Sequence, residues 1–316
     1  MQLIRFRLRP KTPWMTPWQA DTIGGLLAAL YARVKPEEAE EQLIGPWREG
    51  RPSLVVSDAF PDDLLPSPAN LAVLPGAEAH DGKKVRTAAW LSADEFRSVQ
   101  RGALPPLFDR QRKEPYREVV RLRNSIDRSV NSTGESGELY EAAGQLLAGA
   151  GALSVFARVE EGRVGWAAGL FALLGETGFG ADTAVGAGEV EVTGPDTIGD
   201  LEPVDVNGGW VSLSTFQPAK DDPTEGYWRS FVKYGKLGPD FQVTSVFKRP
   251  QWMLRAGACF RDSGPRRGWY GHWIGTEELL PDRARREFKA AGILPGQPAY
   301  ALAVPLRWME ESVGAP

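Results

Sequence analysis

Gly175-Glu176-Thr177-Gly178-Phe179-Gly180-Ala181-Asp182-Thr183-Ala184-Val185-Gly186-Ala187-Gly188 holds five glycines and neither lysine nor arginine. Upstream, residues 166–174 read as the last turns of an apolar helix; downstream, 189–192 read as a strand. A dinucleotide fold sets its glycines before the helix, so a loop that follows one excludes a Rossmann fingerprint. Glycine accepts positive φ and carries no Cβ, so consecutive amides can converge on one anion and a sugar-phosphate backbone can lie against the main chain. A plain flexible turn is the competing reading of the same composition.

Working outward, Ile4, Phe6 and Leu8 alternate with Arg5, Arg7 and Arg9, the period of a strand with one buried and one cationic face. After the loop containing Trp14 and Trp18, Asp21 or Thr22 is placed to cap a helix whose Ile23, Leu26, Leu27 and Leu30 share a face. A short strand follows at 54–56, ending at Phe60-Pro61. From 62 to about 131 the chain is irregular and reads as an insertion, before a strand at 153–159. Strand, helix, strand, insertion, strand, helix, glycine loop, strand is the order of a ferredoxin-like sheet with helices on one face. Turn formers crowd 193–209, which predicts a linker. Strands at 211–216, 227–234, 252–260 and 299–306, with a helix at 284–291, predict a second domain. The expected chain is therefore α+β, with domains at 1–195 and 208–316.

A net charge of −4 and a pI near 5.5 argue against a free-standing, non-specific nucleic-acid binder, whose footprint is normally basic. Any RNA contact must come from a local patch. One exists: Arg110, Arg112, Lys113, Arg117, Arg121, Arg123 and Arg128, diluted by Glu114, Glu118 and Asp127. It reads either as a solvated charged face or as a phosphate grip. Its tail, Arg123-Asn124-Ser125-Ile126-Asp127-Arg128, carries groups that can fork onto phosphate or pair with base and ribose. Trp14 and Trp18 read as base platforms if exposed and as anchors for the next helix if buried. The cluster Trp269-Tyr270-Gly271-His272-Trp273 reads as core or interface.

Signals for catalysis are weak. His80 lies in a polar loop and His272 among aromatics, neither with a second histidine or cysteine at metal-ligand spacing. There is no nucleophile elbow and no phosphate-binding Gly-x-x-x-x-Gly-Lys loop. Asp62-Asp63 are turn formers after Pro61 rather than a metal pair. The lone Cys259 forms no internal disulfide, reads as a small buried apolar residue and suits a reducing compartment. The first ten residues lack a secretory apolar core, and no run approaches the roughly 18–20 apolar residues of a membrane span. A cytoplasmic protein without catalytic residues, metal or cofactor is expected.

An ordered series of short motifs carries a resemblance: Ala20-Asp21-Thr22-Ile23-Gly24, Ser57 to Pro61, Pro66 and Pro68, Arg123 to Arg128, Gly137 to Tyr140, the glycine loop and the terminal strand. Together they resemble the RAMP superfamily and, within it, the fourth Csm subunit of type III-A CRISPR complexes. The resemblance implies two packed ferredoxin-like (RRM-like) domains, the first bearing a thumb-like hairpin from its insertion. It implies the guide's repeat-derived 5′ handle (crRNA), the large polymerase-like subunit and the neighbouring backbone RAMP subunit as partners, and a subunit that caps the complex without cutting RNA. Carried onto this chain, RNA contacts fall to Asp21, Thr22, Arg121, Arg123, Asn124, Ile126, Asp127 and Arg128, and to Gly175, Gly178, Gly180, Gly186 and Gly188. The family's loop often carries a cation. Asp182-Thr183-Ala184-Val185 offers none, so amides and cations from elsewhere must serve. The alternatives are a guide-processing endoribonuclease, which would need His80 or His272 as acid or base, and an adaptor that touches protein only.

Overall fold

The computed structural model describes residues 1–77, 88–106, 114–124, 139–149, 151–238, 247–262, 264–265 and 267–309. Strand β1 (Gln2–Pro10) buries Ile4, Phe6 and Leu8, as its alternation predicts. Two arginines of its cationic face are ion-paired: Arg5 reaches Asp63 and Asp196, and Arg7 reaches Asp63. Helix α1 (Ala20–Val34) buries Ile23, Leu27 and Leu30. Neither Asp21 nor Thr22 caps it. The N-cap is Gln19, and the first amide, Ala20 N–H, donates to the Asp58 carboxylate at 2.8 Å. Strand β2 (Leu54–Pro61) follows.

The excursion then begins. Strands β3 (Leu64–Pro66) and β4 (Trp90–Ser92) pair, and a Ser92/Glu95 capping box starts α2 (Ala93–Gln100). Strands β5 (Tyr116–Asn124) and β6 (Leu139–Leu147) form a separate hairpin, in register from Tyr116↔Leu147 to Asn124↔Leu139. The chain leaves the first sheet until 152, past the expected 131, because β6 spends its whole length on β5.

Strand β7 (Leu153–Val159) is buried throughout. Helix α3 (Val164–Thr177) leads to the glycine loop and β8 (Val190–Thr197). The four strands lie β2-β7-β1-β8, each pair antiparallel, which is the order of a βαββαβ unit. Phe6 of β1 stacks on Phe171 of α3 at 3.9 Å, fixing helix to sheet. Residues 193–197, expected as linker, continue β8 instead: they pair with β1 across a register shift between Arg5 and Arg7 that absorbs Gly194-Pro195.

The second half contains β9 (Gly208–Ser212), β10 (Gly226–Tyr227), β11 (Ser230–Lys233), β12 (Gln251–Leu254), β13 (Cys259–Arg261), β14 (Trp269–Ile274), α4 (Thr276–Leu279), α5 (Asp282–Ala290) and β15 (Gln297–Arg307). Its five-stranded sheet runs β10-β13-β9-β15-β14, and β11 pairs β12 as a ribbon. This is not the ferredoxin order expected for a second domain. Among the described residues the β9–β13 connection holds the ribbon rather than a helix, and the tryptophan cluster supplies the edge strand β14. Trp210 stacks on Tyr270 at 3.9 Å and on Phe260 at 4.9 Å and anchors the core of this sheet. The halves interlock. Ser214 Oγ donates to Val56 O at 2.7 Å, Asp58 N–H to Leu213 O at 3.0 Å, and Tyr300 Oη to Trp47 O.

Candidate RNA interface

The glycine loop is closed at its base and open at its tip. Phe179 turns inward and stacks on Trp18 at 3.6 Å, both rings buried. Phe179 N–H donates to Gly188 O and Gly188 N–H to Pro13 O, each at 2.9 Å. Ala181 and Glu189 N–H donate to the hydroxyls of Thr16 and Thr12 at 3.0 and 2.9 Å. A Cβ on Gly188, at φ +71°, would lie 2.0 Å from Phe179 O, and one on Gly180 would lie 2.7 Å from Thr16. These two glycines let the loop close on the 12–18 segment. Gly178 ends α3 by donating to Leu174 O, and Gly175 lies inside that helix rather than in the loop. The loop lies where the sequence placed it, but Gly175 and Gly178 belong to the helix and its end, and Gly180 and Gly188 to the closure on the 12–18 segment. Only Gly186 sits at the exposed tip, with no neighbour within 4 Å of a Cβ.

At that tip Val185, Gly186 and Ala187 N–H donate back to Asp182 and Thr183 carbonyls. The main-chain N–H groups of Asp182, Thr183 and Ala184 have no protein partner among the described residues and stand exposed.

The cation that this loop lacks comes from the hairpin. Arg123 Nη1 lies 2.6 Å from Asp182 Oδ2, which draws the two sequence-predicted segments together. Strand alternation puts Arg117, Arg121 and Arg123 on one face of β5, with Arg117, Arg121 and Asn124 exposed. Ile126, Asp127 and Arg128 lie outside the described residues, as do Arg110, Arg112, Lys113 and His80.

Asp21 and Thr22 belong elsewhere. Lys233 Nζ lies 2.7 and 2.8 Å from the Asp21 oxygens and 2.8 Å from Thr22 Oγ1, while Gln297 Nε2 donates to Asp21 Oδ2 at 2.9 Å. With its side chain 2% exposed, Asp21 joins the two halves and is closed to a ligand. Lys248 extends the cluster, donating to Gln297 Oε1 at 2.7 Å, and burial pushes its ammonium down to about 8. Trp14 and Trp18 are likewise buried anchors, not free platforms.

Cys259 is buried, which pushes its thiol up to about 12. His272 Nε2 lies 3.9 Å from Glu278, and the described residues hold no group of three metal-ligating side chains. Among them, no helix is long and apolar enough to cross a membrane.

Asp58 is the residue that sequence reasoning passed over, although a lone acid in an apolar strand was a visible signal. Its Oδ1 accepts Thr215 N–H at 2.7 Å as well as Ala20 N–H, and its Oδ2 accepts the Thr215 hydroxyl at 2.8 Å. Desolvation still wins, raising the carboxyl to about 6. The folded protein thus holds this proton at pH values where the unfolded chain, titrating near 3.9, has lost it. Asp58 contributes most below about pH 4, and that contribution fades as pH rises through about 6. Relative to the parent, Asp58→Asn should gain stability between those pH values, measured by urea denaturation at each. A flat difference would contradict the assignment.

No family model and no curated protein matches the chain. Solved structures do. A chain of a Csm1–Csm4 cassette crystallised with pppApA matches at TM-score 0.58 and 18% identity, over 98% of this chain and 100% of that one. A chain of the same cassette with cA4 matches at TM-score 0.59 and 18% identity, over 98% and 100%. A chain of a Csm3–Csm4 subcomplex from the type III-A CRISPR-Cas interference complex matches at 0.59 and 12%, over 96% and 100%. The chain has, from end to end, the fold of a subunit of these Csm assemblies.

Proposed function

We propose that the chain is the non-catalytic crRNA-binding subunit of a cytoplasmic type III-A CRISPR effector complex, gripping the repeat-derived 5′ handle and capping the base of the complex in antiviral defence. The carrying observation is the fold shared with Csm-assembly chains over 98% of its length, on which the motif series falls in order. In this reading the exposed amides of 182–184 receive a phosphate beside the cationic face of β5. Arg123 spends one guanidinium nitrogen on Asp182 and keeps further donors for phosphate. Exposed Val120, Leu122, Leu139 and Tyr140 on the same hairpin suit contact with the backbone subunit, leaving other surfaces for the large subunit.

Arg121→Ala should lower the log–log salt slope of handle binding by about 0.7, the value for one single-strand phosphate contact. Fluorescence anisotropy at several salt concentrations reads it, and an unchanged slope removes the hairpin from the interface. Repeat RNA incubated with the purified chain should stay intact. Site-specific cleavage lost in His272→Ala would replace this reading with the endoribonuclease.

A further inference from the structure

A cavity of about 390 Å³ opens where the base of the β5–β6 hairpin, the 14–19 segment and the second half meet, within the roughly 300–1,000 Å³ of small-ligand sites. Half-buried Trp90 and Tyr116 line it, their rings 6.1 Å apart and inclined at 72°. Trp14 stands edge-on to Tyr116 at 6.1 Å and keeps that ring from swinging away. Asp58 also lines the cavity, and the exposed Arg229 and Arg255 complete it. Arg255 is held over the Phe231 ring at 4.5 Å, which fixes the guanidinium without consuming its hydrogen-bond donors.

These groups match three parts of one ligand. A partly exposed indole offers a stacking surface for a planar base. Asp58 Oδ2 accepts only the Thr215 hydroxyl among the described residues, so a carboxylate oxygen keeps capacity to accept an amine. The Arg255 guanidinium, with Arg229 in the same lining, suits a phosphate. The cavity lies across the 12–18 segment from the glycine loop: Trp18 lines one and stacks into the other, and Trp14 N–H and O both bond Gln145 of β6.

We propose that this cavity takes one unstacked nucleotide, its base against Trp90, an exocyclic amine donating to Asp58, and its phosphate at Arg255 and Arg229. This rests on the RNA-binding reading and deepens it: the loop tip and hairpin hold backbone, and the cavity holds and discriminates a base. Adenine, cytosine and guanine each present an exocyclic amine, and uracil has none. Uracil turns carbonyl oxygens toward the carboxylate and is disfavoured.

The test titrates the purified full chain with AMP, CMP and UMP, followed by tryptophan fluorescence, alongside anisotropy with a labelled single-stranded repeat RNA. AMP and CMP should bind about 10-fold tighter than UMP, the worth of one hydrogen bond to a charged group. Trp90→Ala should weaken AMP and CMP by about 10-fold. Asp58→Asn, whose amide can both donate and accept, should bring the three nucleotides to within about 2-fold of one another. A merely structural role for Asp58 would leave their ratio unchanged, and far-ultraviolet circular dichroism checks that each variant is folded. Absence of saturation by all three nucleotides, or equal affinities untouched by Asp58→Asn, overturns the cavity site. RNA that binds the parent and the cavity variants equally also overturns it and leaves the proposed function standing. RNA that does not bind the parent overturns the proposed function, and the mononucleotide titrations then decide the cavity alone.

Discussion

Trp18→Ala should lower the stability of the fold by about 3–5 kcal/mol, the usual cost of truncating a buried large aromatic. The ring is buried and stacked at 3.6 Å on Phe179, the large side chain by which the glycine loop enters the core. Its removal opens a void under the loop and frees the hydrogen bonds that Thr16 and Pro13 make to it. Residues 179–188 should therefore lose hydrogen-exchange protection before the sheet does. Trp18→Phe should cost much less, because the stack survives and the indole N–H has no partner to lose among the described residues. Urea denaturation together with site-resolved exchange reads both effects. Equal losses in the two variants would mean that the stack does not hold the loop.

Lys233→Met should cost about 3–5 kcal/mol, because it leaves the Asp21 carboxylate buried without its counter-charge. Asp21→Asn in the Lys233→Met background should recover much of that loss, and the double-mutant cycle gives the coupling directly. The experiment also separates two roles for the Ala20-Asp21-Thr22 motif. As a joint between halves, it should change the denaturation midpoint in each single variant and leave the intrinsic RNA affinity of folded protein alone. As an RNA contact, it would do the reverse.

The first sheet was legible because its strands carry a period or a continuous apolar run. Ile4, Phe6 and Leu8 alternate with arginines, and β7 is buried at every position. Strand β6 was not legible, since Ala142, Ala143, Gly144 and Gln145 carry little apolar signal and are held by pairing with β5. The second sheet resisted for a related reason: β10 and β13 are short, and β14 hides in a run of aromatics that satisfies no period.

The site shows the same division between local and distant information. Composition marked the loop and the arginine run, but the contact that joins them spans 59 residues, from Arg123 to Asp182. Asp21 looked like a cap or a ligand contact because its true partner, Lys233, is 212 positions away. Gly180 and Gly188 looked like an invitation to RNA. What they face is Thr16 and the Phe179 carbonyl, which only the folded chain brings near.

Photo-crosslinking most directly tests whether the loop tip and the hairpin hold RNA together. The purified chain is bound to a handle RNA carrying 4-thiouridine, irradiated, and mapped by peptide mass. Adducts should fall both on the β5 segment 117–124 and on the exposed tip 181–186. RNA that binds saturably while its adducts avoid both segments would contradict the shared interface.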